Sequence, residues 1–203
     1  MLYAPEKRSL FAKFEEFLIN TYFSGVFTKA ILSVSNIKKG KIFEPGSGSG
    51  MSCVKFVKQG FNVTCLDLSK NALQKSKSLF NQLSLDCGFM LGTLFHLPVK
   101  DEQFNIVFNQ GVMEHFRLAN LDPSDGVKEM LRVCKEKGHL IIFDAVLPKS
   151  YINKPIAWLI RKADRGRYMR NEKELLFIIS NNSNIIYQQR ITYSYTGLEA
   201  LII

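Results

Sequence analysis

Lys41-Ile-Phe-Glu-Pro-Gly-Ser-Gly-Ser-Gly50 is followed, seventeen residues after Gly50, by Asp67. Ile42 and Phe43 read as a short apolar strand that runs into a turn carrying Gly46, Gly48 and Gly50, and Met51–Gln59 reads as a helix. A second apolar strand, Phe61-Asn-Val-Thr-Cys-Leu66, delivers Asp67 at its end. Strand, glycine turn, helix, strand and terminal acid together form the first βαβ unit of a nucleotide-binding α/β domain. Glycines let a ligand approach the backbone closely, and a helix N-terminus offers unpaired N–H groups. An acid ending the second strand stands where it can hydrogen-bond a ribose diol.

The spacing departs from the dinucleotide fingerprint G-x-G-x-x-G, because the third glycine comes one residue early and Met51 takes its place. Glu44 precedes the turn. A carboxylate there suits a cationic or amino-bearing ligand better than a pyrophosphate.

Working outward, residues 7–35 place Phe11, Phe14, Leu18, Tyr22 and, more loosely, Phe23 and Phe27 at helical spacing. Such a helix either covers a ligand as a lid or packs on the sheet as ordinary core. Past Asp67, Ser69 is a good N-cap for a helix running to Leu83. Cys87–Leu91 predicts a third strand and Gly92–Pro98 a loop. Phe104–Asn109 is apolar enough to be a central parallel strand, Pro123–Lys135 predicts a helix, and His139–Phe143 a fifth strand. Residues 148–173 look the least regular, a short helix is expected over Glu174–Asn181, and Asn184–Ile191 and Leu198–Ile203 read as closing strands. Strands alternating with helices give a doubly wound α/β sheet with one antiparallel strand.

Length and composition fit a single domain over residues 1–203, with 46% hydrophobic and 22% charged residues. Its parts are an N-terminal helical segment (1–36), a cofactor-binding core (37–147), a basic insertion on the substrate side (148–175) and closing strands (176–203). No run of 18 apolar residues is present, and Glu15 and Glu16 interrupt the N-terminal apolar segment, which lacks a signal-peptide pattern. The four cysteines show no C-x-x-C pairing and read as buried free thiols in a reducing, cytoplasmic setting. No His/Cys/Asp grouping has metal-ligand spacing, so no metal is expected.

The Glu-x-Gly-x-Gly-x-Gly turn with its strand-end Asp67 resembles motif I and the acidic loop of class I S-adenosylmethionine-dependent methyltransferases. Three further stretches match that family in order. Gly92-Thr-Leu-Phe-His-Leu-Pro98 looks like the loop bracketing the adenine, Phe104 to Phe116 like the fourth-strand motif, and Lys137 to Phe143 like the post-helix glycine and fifth strand. The resemblance implies a Rossmann-like doubly wound sheet of seven strands in the order 3-2-1-4-5-7-6, the last strand antiparallel, with helices on both faces. It implies S-adenosylmethionine as cofactor and S-adenosylhomocysteine as product. By position, Glu44, Gly46, Ser47 and Gly48 line the methionine part, with Glu44 at the α-amino group. Asp67 takes the ribose hydroxyls, Leu68 presses on the adenine, Thr93 and Leu94 meet the adenine edge, and Asn109 meets the methionine end. Thr93 stands where the family often has an acid, a weaker neutral partner for the adenine amino group. Asn105 replaces the family's usual Asp at mid-strand.

Methyl transfer from a sulfonium is an in-line displacement, served mainly by holding the partners in line and excluding water. A base is needed only for a protonated acceptor, and His115, just past the fourth strand, is the candidate. The net charge is +9, and eight lysines and arginines fall between Lys149 and Lys173, among Tyr151, Ile156, Trp158, Leu159 and Ile160. Basic and apolar residues together suit an anionic or lipid-like small molecule, an anionic membrane surface, or RNA. The expected reaction is methylation of an O, N or C atom of a small molecule. An RNA methyltransferase and a non-catalytic nucleotide-binding protein remain the alternatives.

Overall fold

A computed structural model of the chain describes residues 24–163, 169–192 and 197–203. Seven strands form one sheet in the order β3-β2-β1-β4-β5-β7-β6. In chain order the elements are α1 (Ser24–Ser35), β1 (Lys41–Pro45), α2 (Met51–Lys58), β2 (Asn62–Asp67), α3 (Lys70–Gln82), β3 (Gly88–Leu91) and β4 (Phe104–Gln110). There follow α4 (Met113–Leu118), α5 (Pro123–Val133), β5 (Cys134–Val146), α6 (Pro155–Ala163), α7 (Glu172–Ser180), β6 (Gln189–Thr192) and β7 (Glu199–Ile202). β7 runs antiparallel to both β5 and β6, and the pairings among β1 to β5 are all parallel. Among the described residues, no helix is long and apolar enough to cross a membrane.

Parallel strands covered on both faces must be apolar on both faces, and β1 is buried from Ile42 to Pro45. Alternation then sorts its side chains. Ile42, with Ile106 and Phe108 of β4, joins Phe27, Cys53, Val54, Phe56 and Phe80 from α1, α2 and α3. Phe43, with Val107, joins Met113, Phe116, Val127, Met130, Leu175 and Ile179 from α4, α5 and α7. Phe27 lies 5.4 Å from the Phe108 ring and 4.8 Å from Phe143, so this part of the N-terminal aromatic pattern is core. Phe11, Phe14, Leu18, Tyr22 and Phe23, the other residues of that pattern, lie outside the described residues.

Three boundaries differ from the sequence expectation. The stretch read as irregular contains α6, which begins at Pro155, where a missing N–H costs nothing because the first helical turn has no acceptor for it. The strand expected over Asn184–Ile191 is ordered as a strand only from Gln189 to Thr192. The fifth strand begins at Cys134 instead of His139, with a register irregularity between the pairs Phe104–Cys134 and Ile106–His139.

Candidate cofactor and active site

The turn after β1 is lashed to the end of β2. Gly46 N and Ser47 N both donate to Leu66 O, at 2.7 and 3.0 Å. Gly48 N donates to Asp67 Oδ2 at 2.8 Å, and Ser69 N donates to Oδ1 at 2.8 Å. Asp67 is therefore aimed by two backbone donors, while Ser69 caps α3 by accepting from Ala72 N. A carboxylate has about four acceptor positions, so two remain for a ligand. Gly48 and Gly50 adopt the left-handed conformation, with φ of 55° and 71°. Their surroundings differ. A Cβ on Gly50 would meet Ser76 Oγ at 2.1 Å, so this glycine lets α3 close against the start of α2. A Cβ on Gly48 would meet nothing within 4 Å, so this glycine faces open space.

Unpaired polar groups gather beside that space. Ser47 Oγ and Asn109 Oδ1 are buried without a hydrogen-bond partner among the described residues. Asn109, next to last in β4, stands by the turn, and its Nδ2 donates to Pro45 O at 3.3 Å. No side chain caps α2, whose N-cap is Gly50, so the leading N–H groups of that helix are left for a ligand. Gln110 fixes the far side by accepting from Ser52 Oγ at 2.6 Å. A buried acceptor, a buried hydroxyl, free helix N–H groups and a fixed carboxylate fit a zwitterionic, ribose-bearing molecule such as S-adenosylmethionine.

Glu44 lies on the α2 side of β1 and is buried. Burial pushes its carboxyl from the ordinary 4.5 to about 8, against the pull of the Cys53 thiol, which donates to Oε2 at 2.8 Å; nearby Asp67 adds to the rise. Burial likewise pushes the Cys53 thiol well up. Glu44, Cys53 and Cys65 bring their ligand atoms within 4.8 Å of one another, and Cys65 and Cys87 place their sulfurs 3.6 Å apart. Linear spacing gave no sign of this cluster, because each member comes from a different element. All four cysteines are free thiols, and Cys87 is the half-buried one.

The loop after β3 is tied to the same corner by Gly92 N donating to Asp67 O at 3.1 Å. Thr93 Oγ1 accepts from Phe95 N at 3.3 Å. Leu94 turns its side chain into the core, where a Cβ on Gly126 would meet its Cδ2 at 2.3 Å. Leu68 is exposed beside Asp67.

Across the carboxyl edge stands a second polar group that the sequence did not point to. Asp144, near the end of β5, is buried, and its Oδ1 accepts from its neighbour Ala145 N at 3.0 Å. Its carboxyl is raised well above the usual range by burial first and by Glu114 second, while backbone donors and Arg170 pull the other way. Arg170 is buried too and donates to Met113 O at the start of α4. His115, on α4, has its Nε2 3.9 Å from Glu114 Oε1 and a side chain about one-third exposed. An acid interrupting the apolar run Leu140–Phe143 was the available signal for Asp144. The basic run divides: Arg170 is core, Lys149 pairs with Glu172 at 3.4 Å and Lys154 with Glu199 at 2.5 Å. Arg165 and Arg167 lie outside the described residues.

Comparison with known proteins relates the chain to methyltransferases. The family model described as "Methyltransferase domain" matches residues 43–142. An uncharacterized methyltransferase of Schizosaccharomyces pombe is 30% identical over 129 residues, covering 56% of this chain and 45% of that protein. A ubiquinone biosynthesis O-methyltransferase of Bartonella bacilliformis is 23% identical over 164 residues, covering 76% of this chain and 64% of its own length. The chain thus spans about half to two-thirds of the length of these relatives. A crystal structure of a SAM-dependent methyltransferase from Aquifex aeolicus shares the fold, with a TM-score of 0.67 at 13% identity over 91% of this chain and 90% of that one.

Proposed function

We propose that this chain is a class I S-adenosylmethionine-dependent methyltransferase, which binds S-adenosylmethionine at the β1–α2 turn and methylates an O, N or C atom of a small molecule. The observation that carries the reading is the open cradle at Gly48, bordered by the unpaired Ser47 Oγ and Asn109 Oδ1 and by the aimed carboxylate of Asp67. Asp67 takes the ribose hydroxyls on its remaining acceptor positions, Leu68 covers the base, and Thr93 and the backbone of Leu94 border its edge. Asn109 Oδ1 accepts from the α-ammonium, and the Ser47 hydroxyl with the free N–H groups of α2 receives the carboxylate. Glu44 supports the ammonium from beneath the turn, giving up its proton as the cation arrives.

The cofactor, when bound, supplies a methyl group on a positively charged sulfur. The chain's own task is to hold an acceptor in line with it and keep water out, worth several kcal/mol when the geometry is met (about 7–11 kcal/mol at the limit). His115 is the base for an acceptor that carries a proton, with Glu114 beside it. Two relatives are named as ubiquinone biosynthesis O-methyltransferases, which supports a small-molecule acceptor.

Calorimetric titration with S-adenosylmethionine, S-adenosylhomocysteine and NAD, alongside Asp67→Ala, tests the reading. Saturable binding of the first two, lost in the variant, is expected. Binding of NAD alone, or of none of the three, would overturn it.

A further inference from the structure

Folded surfaces carry isolated large apolar side chains, but seldom a run of them on one short element. α6 and the turn before it do. Ile152 is 79% exposed, Ile156 46%, Trp158 47% and Leu159 55%, while Ala157 is fully buried and seats the helix. Lys154 fixes the element in place: its backbone O accepts from Trp158 N at 3.0 Å and its Nζ reaches Glu199 Oε1 at 2.5 Å. Glu199 opens β7 opposite Val146, the last residue of β5. The apolar run therefore stands at the carboxyl edge of the sheet, the edge that also bears the Gly46–Gly50 turn.

The rim of this run is positive. Among the described residues, Lys149, Lys154 and Arg190 share two carboxylates, Glu172 and Glu199, leaving one cation in excess. The Lys149 side chain is 70% exposed. The sequence of α6 continues into Arg161 and Lys162, and the whole chain carries +9. Apolar side chains ringed by cations are the chemistry of a segment that lies in a membrane interface, with the apolar groups at the acyl boundary and the cations among acidic headgroups. A tryptophan, apolar in body and polar at one edge, suits that depth.

We propose that α6 and its preceding turn dock the chain onto an anionic lipid surface, with Ile152, Ile156, Trp158 and Leu159 entering the interface. Resting on the methyltransferase reading, the docking turns the carboxyl edge toward the bilayer, so the acceptor it favours is one that resides in lipid.

Trp158 is the only tryptophan in the chain, so its emission reports this face alone. The purified full chain is mixed with vesicles of phosphatidylcholine containing phosphatidylglycerol, and with vesicles of phosphatidylcholine alone. A blue shift and co-sedimentation with the acidic vesicles are expected, weakened by added salt. Leu159→Asp is expected to lower partitioning by about tenfold or more, the loss of one buried leucine. Absence of both shift and sedimentation overturns the proposal. So does equal binding to the neutral vesicles, and so does a shift produced by RNA and not by lipid. Cofactor titration of the same proteins without vesicles separates the two readings: binding of S-adenosylmethionine with no lipid response sinks the docking alone.

Discussion

Replacing Glu44 by Gln keeps the size of the side chain and an oxygen to accept from the Cys53 thiol, but removes the titration. In the folded protein the carboxyl sits at about 8, against an ordinary 4.5. Between those two values the folded protein holds a proton that the unfolded chain has released. By linkage, the stability present below about 4.5 is lost as pH rises and reaches its floor above about 8. The full window of about 3.5 units corresponds to on the order of 5 kcal/mol at roughly 1.4 kcal/mol per unit. Between about pH 5 and about pH 7 the share is roughly 2.5 kcal/mol. Glu44→Gln has no such term, so its stability relative to the parent should rise by about that amount over the same interval. Urea unfolding followed by circular dichroism at a series of pH values measures it. A difference between the two proteins that stays constant with pH would refute the reasoning, since it would mean that the carboxyl is hydrated or ionised in the fold. The same proton bears on function. Calorimetry of cofactor binding in buffers of different ionisation enthalpy should show proton release near neutral pH in the parent and none in Glu44→Gln.

The two open-conformation glycines should separate stability from binding. Gly50→Ala drives a methyl into Ser76 and strains a left-handed position, costing about 2–4 kcal/mol of stability in thermal or urea unfolding. Gly48→Ala meets no protein atom, so it should cost only about 1–2 kcal/mol of stability while weakening S-adenosylmethionine binding by at least about tenfold. Asp67→Ala removes the acceptor for Gly48 N and Ser69 N and should abolish measurable cofactor binding with loss of about 1–3 kcal/mol of stability. His115→Ala should leave cofactor affinity within about twofold, because no cofactor contact is assigned to this side chain, and lower transfer to a protonated acceptor by roughly a hundredfold. Loss of cofactor binding in that variant would remove His115 from the role of base.

The polar groups across the carboxyl edge explain how α4 is held where a substrate would meet it. α4 is only six residues long, and no side chain of its own N-cap residue, Val112, satisfies its first turn. Arg170, from a later segment, takes the Met113 carbonyl, and Leu147 N donates back to Arg170 O at 3.0 Å. A basic residue near the substrate side is thereby spent on positioning. Counting cations in the sequence overstates what remains for an anionic ligand.

What the sequence made legible, and what it hid, divides along one physical line. The turn after β1 was readable because its requirement falls on the backbone: left-handed positions without a Cβ must be glycine, and they must lie at fixed intervals between a strand and a helix. Asp67 was readable for the same reason, since parallel pairing of β1 and β2 sets where the second strand ends. The Glu44–Cys53–Cys65 cluster and the buried Asp144 and Arg170 depend instead on which side chains three or four separate elements turn toward one another. That is decided by alternation and packing rather than by any local interval. Pro155 hid α6 because a proline inside a basic run reads as a break, although at a first helical position it is permitted. The exposed face of that helix follows from the same cause: Ala157 is seated in the core while Ile156, Trp158 and Leu159 turn outward, and a surface that the described residues do not cover calls for a partner of matching chemistry.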